Sequence, residues 1–140
     1  HQVIQLLANS AERKSIVLQN KTASNLKAFC DRNMIITVLR NLITNSIKFS
    51  NTNSVVVIET YIEQEFVGVA VSDSGVGISP QNLERLFKLE ETYSSEGTAH
   101  EKGSGLGLVI CKEFIEKHKG RLYAKSELGV GSTFCFELPI

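Results

Sequence analysis

Four groups of residues in this sequence have types and spacings that could do chemistry. The stretch Glu101-Lys102-Gly103-Ser104-Gly105-Leu106-Gly107-Leu108-Val109-Ile110 puts glycines at alternate positions, and Leu108, Ile110, Cys111, Phe114 and Ile115 then recur with a helical period. A glycine loop therefore feeds a helix. The first amides of a helix lack internal partners and sit at the positive end of its dipole, and residues without a Cβ let those amides approach a ligand: a phosphate cradle in outline. Glycine-rich helix starts also occur as plain tight turns. Asn41, Asn45 and Lys48 form the second group and fall within a sector of roughly 60° on one helix, beside the apolar side made by Ile35, Val38, Leu39, Leu42 and Phe49. An amide oxygen is a hard neutral ligand suited to a magnesium ion that keeps several waters and bridges phosphates, and a nearby lysine neutralises phosphate charge. The trio could equally be a solvated helix face, although asparagine is a poor helix former and such a face ordinarily favours Lys, Glu or Gln. In the third group Asp73 stands where an apolar strand runs out, before Gly75 and Gly77. Its carboxylate can accept a hydrogen bond from an exocyclic amine while the glycines let a flat ring lie near the backbone; Asp-Ser-Gly is also a common turn. Gly129-Val130-Gly131-Ser132-Thr133 has the same two readings, a loop between strands or hydroxyls supporting a base directly or through water.

The elements that must position these groups follow from periodicity and punctuation. His1 to Lys14 reads as an amphipathic helix, Ser15 to Asn20 as a short strand, and Asn25 to Cys30, with Leu26, Ala28 and Cys30 alternating against Lys27, as a half-buried strand. Asp31 is the expected N-cap of a long helix to about Phe49. Ser54 to Glu63 and Phe66 to Ser72 form a hairpin around Gln64-Glu65, and Ser79-Pro80 opens a short helix to about Lys88. Leu89 to Lys102 is polar with few apolar anchors, the character of a lid. The helix from Ser104 is expected to end near Lys117-His118-Lys119 with Gly120 as its cap, followed by strands Arg121 to Ser126 and Ser132 to Leu138. Strands in adjacent pairs with few crossovers predict a mixed or antiparallel sheet with helices on one face, a two-layer α/β sandwich.

At 140 residues, 42% hydrophobic and 21% charged, the chain supports one packed core and one domain, 1–140. Fifteen basic and fifteen acidic residues leave no net field to draw nucleic acid or an anionic membrane surface. The longest aliphatic run, Val55 to Ile58, is far too short to span a bilayer, and no signal pattern opens the chain, so a cytoplasmic location without membrane contact is expected. Cys30, Cys111 and Cys135 are odd in number and widely spaced, which reads as small core residues rather than disulfides or a zinc site.

Taken in order, Asn41-x-x-x-Asn45-x-x-Lys48-Phe49, Asp73-x-Gly75-x-Gly77, Leu86-Phe87, Gly103-x-Gly105-x-Gly107 and Gly129-x-Gly131-Ser132 resemble the N, G1, F, G2 and G3 boxes of sensor histidine kinases. Nearly the whole chain is similar to their catalytic, ATP-binding domain, of the Bergerat fold shared with heat-shock chaperones, type II topoisomerases and MutL mismatch-repair proteins. The resemblance implies that Asn45 is the principal magnesium ligand, with Asn41 and Lys48 beside it at the phosphates. It implies that Asp73 binds the adenine amine, with Gly75, Gly77 and Ser132 around the base. Lys102, Gly103, Ser104, Gly105, Leu106, Gly107 and Leu108 would hold the phosphates, and Leu89 to Lys102 would be the ATP lid. Three departures stand out: Lys88-Leu89-Glu90 follows the Leu86-Phe87 pair where many such kinases have an acidic residue, proline and phenylalanine; Lys119 replaces a frequent second glycine; and no histidine lies in an acceptor motif.

Two function classes follow from the resemblance: phosphoryl transfer to histidine, and an ATP-hydrolysing clamp or chaperone module. Hydrolysing relatives carry a glutamate general base one turn before the magnesium asparagine, where this chain has Asn41. An amide cannot take a proton at neutral pH and so cannot activate water, whereas a neutral imidazole already offers a lone pair. The expectation is a protein histidine kinase domain that uses ATP and Mg2+ and is monomeric in isolation. Its partners would be the dimerisation and phosphoacceptor domain of its own homodimeric parent protein and, downstream, a response regulator receiver domain in a two-component system.

Overall fold

The computed structural model describes residues 1–88, 97–98 and 106–140. Its elements are α1 (Gln2–Arg13), β1 (Val17–Lys21), α2 (Arg32–Phe49), β2 (Val55–Glu63), β3 (Phe66–Asp73), α3 (Pro80–Arg85), α4 (Gly107–Lys117), β4 (Arg121–Glu127) and β5 (Gly131–Pro139). The strands form one sheet in the order β1-β2-β3-β5-β4. β1 pairs parallel to β2 and the other neighbours pair antiparallel, so the sheet is mixed as expected.

Period-two burial decides which face takes the helices. Val56 and Ile58 of β2, Val71 of β3 and Phe134 and Phe136 of β5 point into one core, where they meet Val38 and Leu42 of α2 and Cys111 and Ile115 of α4. This is the two-layer α/β sandwich. Cys111 is fully buried, and burial pushes its thiol up to about 12, the behaviour of an inert core residue. On the opposite face the carboxylate of Glu137, 2% exposed, accepts from the hydroxyls of Tyr61 (3.0 Å) and Tyr123 (3.1 Å) and pairs with Arg121 at 2.8 Å. A buried acid survives there because every neighbour is a donor.

Several elements depart from the sequence expectations. Asn25 to Cys30 is not a strand. Its alternation is real, since Leu26, Ala28 and Cys30 pack against the core while Phe29 is exposed, but β1 occupies the sheet edge beside β2. The segment is tied to the helix layer instead: Asp31 N–H donates to His118 Nε2 (2.9 Å) at the end of α4. Asp31 also caps α2 through Met34 N–H (2.9 Å), as expected. α3 stops at Arg85, before Lys88, with Leu86 as its C-cap, still in helical conformation and buried. The described part of the helix expected from Ser104 begins at Gly107, with Leu106 as N-cap; residues 104 and 105 lie outside the described residues.

Lys119, not Gly120, takes the left-handed position after α4 (φ 57°). Lys119 N–H donates to Glu116 O and Gly120 N–H to Ile115 O, a Schellman closure. Gly120 is needed for another reason, since a Cβ there would stand 2.2 Å from Glu137 O. α1 closes in the same way, with Ser15 left-handed (φ 56°), Ser15 N–H on Glu12 O and Ile16 N–H on Ala11 O.

Candidate functional site

β3 delivers Asp73 to the end of the sheet, opposite Ser132 at the start of β5. The chain then turns sharply, and Asp73 Oδ1 accepts from Gly75 N–H at 2.9 Å. Burial raises the carboxyl above its ordinary value, while the N–H groups of Gly75 and Ser132 and the Ser46 hydroxyl work against that shift. The Ser46 hydroxyl is itself buried without a hydrogen-bond partner, so it acts on Asp73 from beyond bonding distance. Such a half-buried carboxylate can accept a further donor from a ligand.

The loop after Asp73 is clamped from two sides. Val76 N–H donates to Phe49 O (3.2 Å) at the end of α2, while Gly129 N–H donates to Val76 O (2.8 Å) and Ile78 N–H to Ser126 Oγ (2.7 Å). A Cβ on Gly75 would stand 2.1 Å from Phe49 O, and one on Gly77 (φ 71°) 2.1 Å from Glu127 O. The two glycines are therefore demanded by protein backbone pressed against them. Beneath the loop lies a pocket lined by Asn45 and Phe49 of α2, Asp73, Val76, Gly77 and Ile78, Leu86, Leu108 of α4, and Ser132 and Phe134 of β5. Its walls are mostly apolar, with Asp73, Asn45 and Ser132 as the polar groups: a slot for a flat ring that carries a hydrogen-bond donor on its edge.

At the other end of the site α2 and α4 meet. Asn41 Nδ2–H donates to Thr37 O (2.8 Å), which aims Oδ1 away from its own helix. That oxygen lies 2.8 Å from where a Cβ on Gly107 would stand, so a larger first residue of α4 would push the Asn41 amide aside. Leu106 makes no side-chain cap, so the start of α4 is not closed off by its own N-cap side chain. Lys48, 9% exposed, holds its ammonium 4.9 Å above the Phe49 ring. Asn41 thus faces the start of α4 and Asn45 lines the pocket, while Lys48, further along α2, lies over Phe49. Among the described residues no cluster of His, Cys, Asp or Glu could hold a metal by itself. Neutral amide oxygens such as those of Asn41 and Asn45 suit an ion held largely by a ligand's phosphates and by water.

Of the expected site residues, Asn45, Asp73, Gly77, Leu108 and Ser132 line one pocket, Asn41 and Gly107 touch beside it, and Gly75 supports the loop from behind. Lys102, Gly103, Ser104 and Gly105 lie outside the described residues, as does the expected lid apart from Gly97 and Thr98. Thr98 bonds to the end of α2, through N–H to Lys48 O (3.0 Å) and Oγ1 to Ser50 O (2.6 Å). Ser46 and the apolar lining residues Val76, Ile78 and Phe134 were not picked out from the sequence. A small polar residue on the buried side of a helix, next to Asn45, was the signal for Ser46.

Residues 30–140 match the family model described as histidine kinase-, DNA gyrase B- and HSP90-like ATPase. The chain is 34% identical over 130 residues to the sensor-like histidine kinase SenX3 of Mycobacterium bovis, covering 93% of this chain and 32% of that protein. It thus spans about a third of the length of that relative. The catalytic domain of histidine kinase ThkA superposes with a TM-score of 0.83 at 29% identity, over 99% of this chain and 88% of that one. ShkA, solved at full length in complex with AMPPNP, superposes at 0.81 and 28% identity, over 99% of this chain and 28% of that one. ThkA in complex with the response regulator TrrA superposes at 0.79 and 26% identity, over 99% and 38%. No helix among the described residues is long and apolar enough to cross a membrane. The chain belongs to the histidine kinase-, DNA gyrase B- and HSP90-like ATPase family.

Proposed function

We propose that this domain binds Mg-ATP and presents the γ-phosphate to a histidine on a separate dimerisation domain of its parent protein, within a two-component system. The observation that carries the reading is that residues from four separated motifs, Asn45, Asp73, Leu108 and Ser132, line one pocket, with Asn41 one helical turn before Asn45 and close to Gly107 at the start of α4. Asp73 accepts a hydrogen bond from the adenine amine, and Ile78, Leu86 and Phe134 enclose the ring. Asn45 would hold the magnesium ion, with Asn41 and Lys48 at the phosphates, and Lys102, Gly103, Ser104, Gly105 and Gly107 would supply donors from the glycine loop. When bound, the ion would supply charge stabilisation at the transferring phosphate. In the transfer the bond from the γ-phosphorus to the bridging oxygen breaks, a phosphorus–nitrogen bond forms on the acceptor imidazole, and ADP leaves. Asn41 in place of a carboxylate offers water no base, which favours transfer over hydrolysis. The complex of ThkA with a response regulator supports a receiver domain as the downstream partner.

The test measures radiolabelled phosphate incorporation beside phosphate release, with and without the parent's dimerisation helices. Acid-labile, alkali-stable label on those helices with slow release by the isolated domain is the expected result. Rapid release without labelling would replace the kinase by a hydrolysing clamp.

A further inference from the structure

The last turn of α2 serves four parts of the chain at once. Ser46 O accepts Ser50 N–H, Phe49 O accepts Val76 N–H from the loop after Asp73, and Lys48 O accepts Thr98 N–H. The fourth user is Lys14, at the end of α1, whose ammonium donates to Ile47 O (3.0 Å) and Lys48 O (2.9 Å). Lys14 is 8% exposed, which is rare for a lysine, and its backbone carbonyl accepts Asn53 N–H at 3.4 Å. A buried ammonium at the negative end of a helix dipole is well placed electrostatically. It is also specific, because Ile47 and Lys48 belong to the turn that carries the Lys48 side chain, one residue before the carbonyl that pins the base loop.

We propose that Lys14 is a positioning residue for nucleotide binding: by holding two carbonyls of the last turn of α2, it sets where the Lys48 ammonium stands relative to the phosphates. The inference rests on the nucleotide reading above. It makes the junction of α1 with β1 a place where a movement of the first helix reaches the phosphate end of the site, through a single side chain.

The experiment titrates the 140-residue domain calorimetrically with Mg-ATP and with adenosine, for wild type, Lys14→Met, Lys48→Met and the double variant, with thermal melts alongside. Lys14→Met keeps the length and packing of the side chain but donates nothing. It should weaken ATP about tenfold, the scale of one charge-assisted hydrogen bond, and change adenosine less than about twofold. Because Lys14 acts through Lys48, the double variant should be no weaker for ATP than the worse single variant. Parallel losses of ATP and adenosine, or additive losses in the double variant, overturn the proposal. Lys14→Gln, with a shorter donor, provides a second variant; if neither folds, Lys14 is a determinant of the fold and the proposal is wrong. A wild type that binds adenosine or ATP not at all overturns the nucleotide reading itself, and this inference with it.

Discussion

At the end of the site proposed to take the base, backbone presses on backbone: Phe49 O lies behind Gly75, Glu127 O behind Gly77, and Val76 is bonded on both its N–H and its C=O. At the end proposed to take the phosphates, the observed contact is between side chain and helix, with the Asn41 amide against the first residue of α4 and Lys48 folded over Phe49. The difference teaches where rigidity is needed. A flat ring is recognised by shape and one hydrogen bond, so its slot must be fixed in advance. Phosphates and an ion are recognised by charge, which tolerates longer and more adjustable arms.

The sharpest way to break this contrast is Asp73→Asn, which presents an NH₂ to the adenine donor. ATP affinity should fall about a hundredfold or more, on the scale of removing a hydrogen bond to a charged group and leaving a donor unpaired. Calorimetric titration reads it, and an unchanged affinity in a folded variant removes Asp73 from the site. The fold should not suffer. Burial raises the folded-state pKa of Asp73, so its contribution to stability is present below the unfolded value and is lost as pH rises through the raised value. At neutral pH the ionised carboxylate costs stability, and Asp73→Asn should melt no lower than wild type. For the same reason ATP affinity should decline on acidification before the ordinary carboxylate range is reached, and the variant should lack that decline.

Gly75→Ala tests the rigidity itself. Its Cβ would meet Phe49 O, a backbone atom that cannot rotate away, so a destabilisation of about 2–3 kcal/mol is expected, with a melting temperature lower by roughly 5–10 °C. A melt within a degree of wild type would show that the clamp yields. At the phosphate end Asn45→Ala should leave the fold and adenosine binding intact and remove most of the enhancement of ATP affinity by magnesium, about tenfold. Equal enhancement in variant and wild type would place the ion elsewhere. The smallest effect should come from Lys119→Gly, far from both ends, which relieves a left-handed non-glycine residue. It should raise stability by about 0.5–1 kcal/mol without changing nucleotide affinity, as thermal melts and titration would show.

The pattern of apolar residues was enough to locate α2 with its Asp31 cap, the β2–β3 hairpin and the final strand pair, because each is specified by neighbours in sequence. Asn25 to Cys30 misled because alternation reports a half-buried extended chain and says nothing about which partner lies alongside. Gly75 and Gly77 could be singled out by type. Their reason, the approach of Phe49 and Glu127, depends on segments distant in sequence and was not legible. Lys14 was hidden for the same cause, since a lysine at a helix end ordinarily reaches its own last carbonyls rather than those of another helix.

The order of the sheet has a consequence for how the domain is made. β2 and β3 pair through a two-residue turn, with Glu63 opposite Phe66, and can close early. β5 enters between β3 and β4, and only its arrival sets Ser132 opposite Asp73 and Phe134 into the pocket wall. Closing that long loop is slow compared with forming a hairpin. During synthesis the chain therefore passes through a stage in which the helices and the first hairpin exist but the base slot does not. Nucleotide can capture the domain only after its penultimate element in sheet order, the last strand in sequence, has emerged and inserted.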